Sequence, residues 1–375
     1  MSTIKDSLIL VVEDEPGMRR GLRRVLMPPY LVRETASIEE AISAVNESKF
    51  DLALVDVRLP DGDGYQLMQA IKQKQPDLDV ILMTGSTSEP DEKLYRSLVE
   101  GAYYFFFKPI DRQVLLALVD RCLRLRRAQQ ENLGHIKRLS ADLAQAALFQ
   151  KSLLPDGPLI NSHWHIEGRL RSCDAVSGDT FAYLPLKEGV AVALGDVAGH
   201  GVRSAMFTGM LIFALRSALR VNPHPCELLC LLRQETDFFV PPNFATMVYG
   251  WLTDDGACHY FNAGHPDIFW QHGDDIHLLP STAPLLMNTP ISIPDEIETI
   301  SLAPGDRLVI CSDGLLEARY EKGAEFGKER MQGAIRSASL LPIPGAIDAI
   351  LACMDEHCRH RPQADDITLL IIERL

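Results

Sequence analysis

Val190-Ala191-Val192-Ala193-Leu194-Gly195-Asp196-Val197-Ala198-Gly199-His200-Gly201 reads as an apolar strand that ends on an aspartate and then opens, through glycines, into a helix. Three other acidic motifs sit in the same way at the ends of apolar runs. Ser177-Gly178-Asp179 precedes a strand, Ser312-Asp313-Gly314 follows Leu308-Val309-Ile310-Cys311, and Asp365-Asp366 precedes Ile367 to Ile372. From Trp164 onward the pattern is β-rich. Strands are expected at Val190–Leu194, Thr246–Leu252, Cys258–Asn262, Ile268–His272, Arg307–Cys311 and Ile367–Ile372, with helices at Ser204–Arg220, Cys226–Phe238 and Ile347–His357. Many strands with a few long helices predict an α+β domain, a β-sandwich with helices outside.

Strands that end on aspartates deliver carboxylates to one edge of a sheet. Clustered carboxylates repel one another and are costly unless cations pair them. Oxygen ligands without paired histidines or thiolates favour magnesium or manganese over zinc. Two such ions, about 3.5–4 Å apart, clamp a phosphate for in-line attack.

The N-terminal third repeats the placement with a different set. Apolar runs at Leu8–Val12, Leu52–Val55, Val80–Met83 and Tyr103–Phe107 end on Glu13-Asp14, Asp56, Thr84 and Lys108-Pro109. Helix-period segments lie between them, at Met18–Leu26, Ile38–Val45 and Gly64–Lys74. Continuous apolar strands alternating with helices predict a doubly wound α/β domain with a parallel sheet covered on both faces. Ligands in such sheets sit beyond the carboxyl ends of the strands, where all these polar groups fall. Asp56 suits a carboxylate nucleophile, phosphorylated once a hard cation offsets the incoming anion. Glu13, Asp14, Asp56 and the Arg58 carbonyl suit magnesium, which accepts a few carboxylates and keeps waters. Lys108 would pair with phosphoryl oxygens as a point charge, and Thr84 would hydrogen-bond the phosphate.

Between the two sets, residues 113–154 hold no proline and one glycine, Gly134. Leu133, Ile136, Leu139, Leu143 and Ala146-Ala147 recur at three- and four-residue intervals, one stripe on a long helix that should stop near Leu154-Pro155. The stripe fits either a helix packed on its own chain or a parallel coiled coil between two copies; the homodimeric coil is the expectation.

At 375 residues, two domains are the default. A net charge of −14 argues against nonspecific nucleic-acid binding. No apolar run reaches bilayer length and the start lacks a signal-peptide core, so the expectation is a cytoplasmic chain with no membrane partner. Eight scattered cysteines form no Cys-x-x-Cys pair. Cys353, His357, Cys358 and His360 fit no closed zinc pattern, and His163 and His165 read as strand or surface residues.

With Glu13-Asp14, Asp56, Thr84 and Lys108-Pro109 in place, residues 5–125 resemble a response-regulator receiver domain, similar to the chemotaxis receiver. The resemblance implies a five-stranded parallel sheet. It also implies that Asp56 accepts phosphate from a sensor histidine kinase or phosphotransfer protein, and that Phe105 turns inward with Thr84 on activation.

Residues 126–154 then form a helical linker. Residues 155–375, with the preceding Gln150-Lys151-Ser152-Leu153-Leu154-Pro155, resemble the metal-dependent PPM (protein phosphatase 2C-like) serine/threonine phosphatases, of the SpoIIE-like subgroup. The matching motifs are Gly195 to Gly201, Asn262-Ala263-Gly264-His265-Pro266, Ser312-Asp313-Gly314 and Asp365-Asp366-Ile367-Thr368. The resemblance implies two manganese or magnesium ions bridged by Asp196 and held also by the Val197 carbonyl, Asp179, Asp313, Asp365 and Asp366. It implies His200 as general acid, His265 as a structural or site-lining residue, and a phosphoserine anti-sigma-factor antagonist as substrate. Two positions depart from the subgroup: Ser177 replaces a glycine, and Ala182 stands where an acidic residue is usual. The rival reading is a phosphatase-fold scaffold that binds a sigma-factor regulator without catalysis.

Overall fold

The structure, a computed structural model, describes residues 6–85, 102–235, 244–287, 297–320, 323–359 and 361–375. The chain divides into two compact units, residues 1–138 and 139–375.

The first unit runs β1 (Leu8–Val12), α1 (Pro16–Leu26), β2 (Leu31–Thr35), α2 (Ile38–Glu47), β3 (Leu52–Asp56), a short hairpin of β4 (Arg58–Leu59) and β5 (Gly62–Asp63), α3 (Gly64–Lys74), β6 (Asp79–Thr84), β7 (Tyr104–Phe107) and α4 (Arg112–Leu153). The five long strands form one parallel sheet in the order β2-β1-β3-β6-β7. Side chains alternate between its faces. Leu10, Val12, Ala53 and Val55 pack with α2 and α3, while Ile9, Val11, Leu52 and Leu54 pack with α1 and the start of α4. Burial on both sides is why these strands read as unbroken apolar runs. The fifth strand, β2, gave no such signal because it lies at the sheet edge and carries Arg33 and Glu34.

Helix α4 has 42 residues, and its buried members, Leu115, Val119, Cys122 and Leu123, all lie near its start. Leu133, Ile136 and Leu139 are each more than half exposed, whereas Leu143 and Ala147, further along the predicted stripe, are partly buried. The helix ends at Leu153, two residues before Pro155.

The second unit continues with β8 (Leu159–Ile160), β9 (Trp164–Arg171), β10 (Asp179–Pro185), β11 (Val190–Val197), α5 (Val202–Val221), α6 (Pro225–Glu235), β12 (Ala245–Leu252), β13 (Ala257–Ala263), β14 (Ile268–His272), β15 (Asp275–Leu279), β16 (Glu298–Ser301), β17 (Arg307–Cys311), α7 (Asp313–Leu316), α8 (Gly327–Ser337), α9 (Ile343–Cys358) and β18 (Ile367–Arg374). Two antiparallel sheets, β10-β11-β12-β13-β16 and β15-β14-β17-β18-β9-β8, form a sandwich. Trp164, Phe181, Leu194, Val248, Ile310 and Leu370 fill the layer between them. Gly168 on β9 lets the sheets approach, since a Cβ there would stand 2.6 Å from the Phe181 ring. Helices α5 and α6 cover the first sheet, and α8 and α9 the second. The end of the predicted helix at Phe238 lies outside the described residues.

Helix α5 is long and apolar enough to cross a membrane by length and composition, although Arg203, Arg216 and Arg220 interrupt its apolar run. Its Leu211, Ala214, Leu215 and Ala218 are buried in the cluster formed with the first sheet.

Candidate metal centres

In the first unit, β1 and β3 are neighbours, so Glu13 and Asp56 emerge side by side at the carboxyl edge. Both are buried, and the carboxylate oxygens of Glu13, Asp14 and Asp56 lie within 4.8 Å of one another. Lys108, following β7, reaches across: its Nζ donates to Asp56 Oδ2 at 2.5 Å and to Glu13 Oε2 at 2.6 Å. Burial, then the Asp56 and Asp14 charges, raise the Glu13 carboxyl above its ordinary range, against the opposing pull of Lys108. Burial works against the Lys108 charge, but its hydrogen bonds to Asp56 and Glu13 win and its pKa is raised. The Arg58 N–H donates to Asp56 Oδ1 at 3.2 Å, which fixes the turn that carries the Arg58 carbonyl. Gly64 is required just beyond, because a Cβ there would stand 2.2 Å from the Asp56 carbonyl oxygen. Thr84 is buried at the end of β6, one residue past Met83, the register partner of Asp56. Phe105 is buried on the α2–α3 side of the sheet.

In the second unit, Asp179 and Asp196 are register partners across β10 and β11. Asp179 Oδ2 accepts the Thr368 hydroxyl at 2.6 Å, so the first sheet is pinned to β18 of the second. Ser312 Oγ accepts the Thr368 N–H at 2.9 Å and ties in the turn that carries Asp313. Gly314 seats that turn, since a Cβ would lie 2.0 Å from the Asp366 carbonyl oxygen. Both carboxylate oxygens of Asp366 accept backbone N–H groups, Gly178 at 2.7 Å and Cys173 at 2.8 Å. Asp365 Oδ1 accepts the Asp366 N–H at 2.8 Å and is otherwise solvent-facing. Cys173, Asp365 and Asp366 have ligand atoms within 4.8 Å of one another; Asp179, Asp196 and Asp313 stand outside that group.

The electrostatics join them nevertheless. Burial, then Asp196, push the Asp179 carboxyl well above its ordinary value. Burial, then Asp313 and Asp365, push Asp196 up to about 7. Burial, then Asp365 and Glu317, raise Asp313. Carboxyls that burden one another in this way are what a divalent cation relieves, and the donors are oxygens, so the residues fit magnesium or manganese. The Val197 carbonyl lies against Gly178, where a Cβ would approach it to 2.9 Å.

His200 sits between Gly199 and Gly201, whose φ values of 91° and 86° belong to the left-handed region that glycine adopts freely. Its ring is exposed, and Nδ1 pairs with Asp174 Oδ2 at 2.9 Å. Asp174, Thr368 and Ser312 gained no role from sequence reasoning, and nothing in the spacing of Asp174 marks it. His265 is buried with Nδ1 on Thr246 Oγ1 at 2.7 Å, and burial pushes it down to about 3, which keeps it neutral. The departures are accounted for locally. Ser177 Oγ accepts the Asp179 N–H at 3.1 Å, and Ala182 is buried beside Leu211 and Leu215, where a carboxylate would be costly. His357 pairs with the Ala324 carbonyl, and His360 lies outside the described residues.

Residues 187–375 match the family described as Stage II sporulation protein E (SpoIIE), and residues 9–120 match the response regulator receiver domain. Protein IcfG of Synechocystis sp. is 26% identical over 276 residues, 65% of this chain and 43% of its own length. The response regulator protein PilR of Pseudomonas aeruginosa is 37% identical over 123 residues, 32% of this chain and 27% of its own. The chain thus spans less than half the length of these relatives. Among solved structures, the SiaA-PP2C domain of Pseudomonas aeruginosa aligns with a TM-score of 0.57 at 22% identity, covering 64% of this chain and 98% of that one; it shares the fold.

Proposed function

Because the chain belongs to the Stage II sporulation protein E (SpoIIE) family and carries a response regulator receiver domain ahead of the matched region, we propose that it is a receiver-controlled, metal-dependent protein serine/threonine phosphatase. Asp56 accepts phosphate from a histidine kinase or phosphotransfer protein. Glu13, Asp14, Asp56 and the Arg58 carbonyl hold magnesium, while Lys108 and Thr84 receive the phosphoryl oxygens. Asp179, Asp196, the Val197 carbonyl, Asp313 and Asp365 hold two manganese or magnesium ions, with Asp366 fixing the backbone around them. When bound, such ions neutralise phosphate charge and activate water. His200, oriented by Asp174, stands ready to give its proton to the departing serine oxygen. The substrate we assign is a phosphoserine on an anti-sigma-factor antagonist, so that output reaches transcription without DNA contact.

The observation that carries the reading is the cross-strand carboxylate pair of the buried Asp179 and the half-buried Asp196, each raised by burial and by neighbouring carboxylates. The test is manganese-dependent hydrolysis of a phosphate ester by the full chain. Turnover that Asp196→Asn abolishes supports the enzyme. No turnover with any divalent ion favours the scaffold that holds a sigma-factor regulator, a reading to which the full engagement of both Asp366 oxygens lends some weight.

A further inference from the structure

We infer that the cavity beside Asp365 is a substrate subsite whose arginines, Arg319 and Arg361, take an acidic side chain flanking the phosphoserine; the inference rests on the phosphatase reading above. The cavity holds about 660 Å³, within the range of about 300–1,000 Å³ that ligand pockets occupy. Gly314 and Asp365 line it, so it opens beside the carboxylate cluster. Arg319, from the segment after α7, and Arg361, from the segment after α9, line it as well. A cavity of this volume is on the order of 9 Å across, a span that roughly two or three extended residues cover.

The acidic members of the lining do not cancel these arginines. Asp355 is paired with Arg171 at 2.9 Å. Glu317 and Asp365 both raise the Asp313 carboxyl, so their charge bears on the cation cluster. Arg319 pairs with Glu325 where both are about half exposed, an ion pair of little worth that another carboxylate can replace. Arg361 is exposed, and its guanidinium carbon lies 5.8 Å from the centre of the Tyr320 ring. Arg359 stacks on the same ring at 4.0 Å and donates to the Tyr320 hydroxyl at 2.7 Å. One aromatic ring thus gathers two guanidinium groups, and a stacked guanidinium keeps its fork of donors for a carboxylate. In a chain of net charge −14, this is a local exception to the repulsion an acidic partner would meet.

The loop that carries these groups is built to hold them. Helix α9 ends on Arg359 at φ 51°, the one non-glycine in the left-handed region among the described residues, where glycine or asparagine is usual. The chain keeps an arginine there against that preference, and with it the contact to Tyr320. Gln363 Nε2 donates to the Arg171 carbonyl at 2.6 Å and to the Asp365 carbonyl at 2.7 Å, which clasps the loop to β9. Arg361 is thereby held at a set distance from Asp365.

The test uses the full chain with manganese and two phosphoserine heptapeptides, alike except that glutamates or glutamines flank the phosphoserine. Wild type should favour the glutamate peptide about tenfold in kcat/KM, the low end of what a hydrogen bond between charged groups contributes. The difference should lie in KM, because the contact is made equally before and during reaction. In Arg361→Gln the preference should shrink to within about twofold, through a higher KM for the glutamate peptide. Arg361→Lys, which keeps the charge but not the fork, should recover part of it. Arg169→Gln, on β9 and paired with Asp348 rather than lining the cavity, should keep the full preference. Should Arg361→Gln fail to fold, Arg319→Gln should show the same shrinkage. Equal use of both peptides by wild type overturns the inference, as does a preference that survives in both glutamine variants or is lost equally in Arg169→Gln. Failure of wild type to hydrolyse even p-nitrophenyl phosphate removes the phosphatase reading and the inference with it, so the two failures are told apart.

Discussion

Thr368 donates its hydroxyl to Asp179 across the sandwich, joining the first strand of one sheet to the strand that follows Asp365 and Asp366 in the other. The contact is buried, and it supplies the Asp179 carboxyl with a donor that burial would otherwise deny it. Replacing it by Thr368→Val keeps the shape and removes the donor. Ion-free stability should fall by roughly 1–3 kcal/mol, the cost of leaving a buried acceptor unmet. Denaturant unfolding in a chelator measures it. An unchanged midpoint would show that the hydroxyl carries no weight there.

The Asp196 carboxyl, pushed up to about 7, gives a pH signature. A carboxyl raised on folding holds its proton more tightly in the folded chain. Its stabilising contribution is complete below the unfolded value of about 4 and is lost as pH rises through the folded value. Without ions, stability should therefore drop by roughly 2–4 kcal/mol between pH 5 and 8. Added manganese should flatten the profile, and Asp196→Asn should flatten it without manganese.

Lys108 is the cation that lets Glu13 and Asp56 share one pocket. Lys108→Met should leave two buried carboxylates facing each other and cost roughly 3–5 kcal/mol in magnesium-free buffer. Magnesium should restore part of the loss. Thermal melts with and without the ion decide it; a variant as stable as wild type would mean that the three groups are not held together in solution.

The exposed stripe on α4 predicts association. Changing Leu133, Ile136 and Leu139 to serine should shift sedimentation from two copies to one while leaving the fold of each unit intact by circular dichroism. A wild-type chain that sediments as one copy at micromolar concentration contradicts the coiled coil.

Gly314→Ala tests the seat of the Asp313 turn. A Cβ 2.0 Å from the Asp366 carbonyl forces backbone apart. The variant should lose about 2 kcal/mol or more and bind manganese poorly, as read by unfolding and calorimetry.

Much of this was legible because strands buried on both faces leave unbroken apolar runs, and a carboxylate at the end of such a run marks a sheet edge. That reasoning located Asp56, Asp196 and Asp313. It overlooked β2, where Arg33 and Glu34 interrupt the run at a sheet edge, and β9, where Glu167 and Arg169 alternate with inward-facing residues. Partners that act through a single hydroxyl, such as Thr368 and Ser312, carry no periodic signal. Their roles depend on which distant backbone they meet, and only the packed sandwich decides that.

Asp179 and Thr368 lie 189 residues apart in the chain, and β18 is an interior strand between β9 and β17. A nascent polypeptide therefore cannot zip up this sheet until nearly everything encoding it has left the ribosome. The waiting segments, apolar and unpaired until then, have the longest exposure to association with other chains.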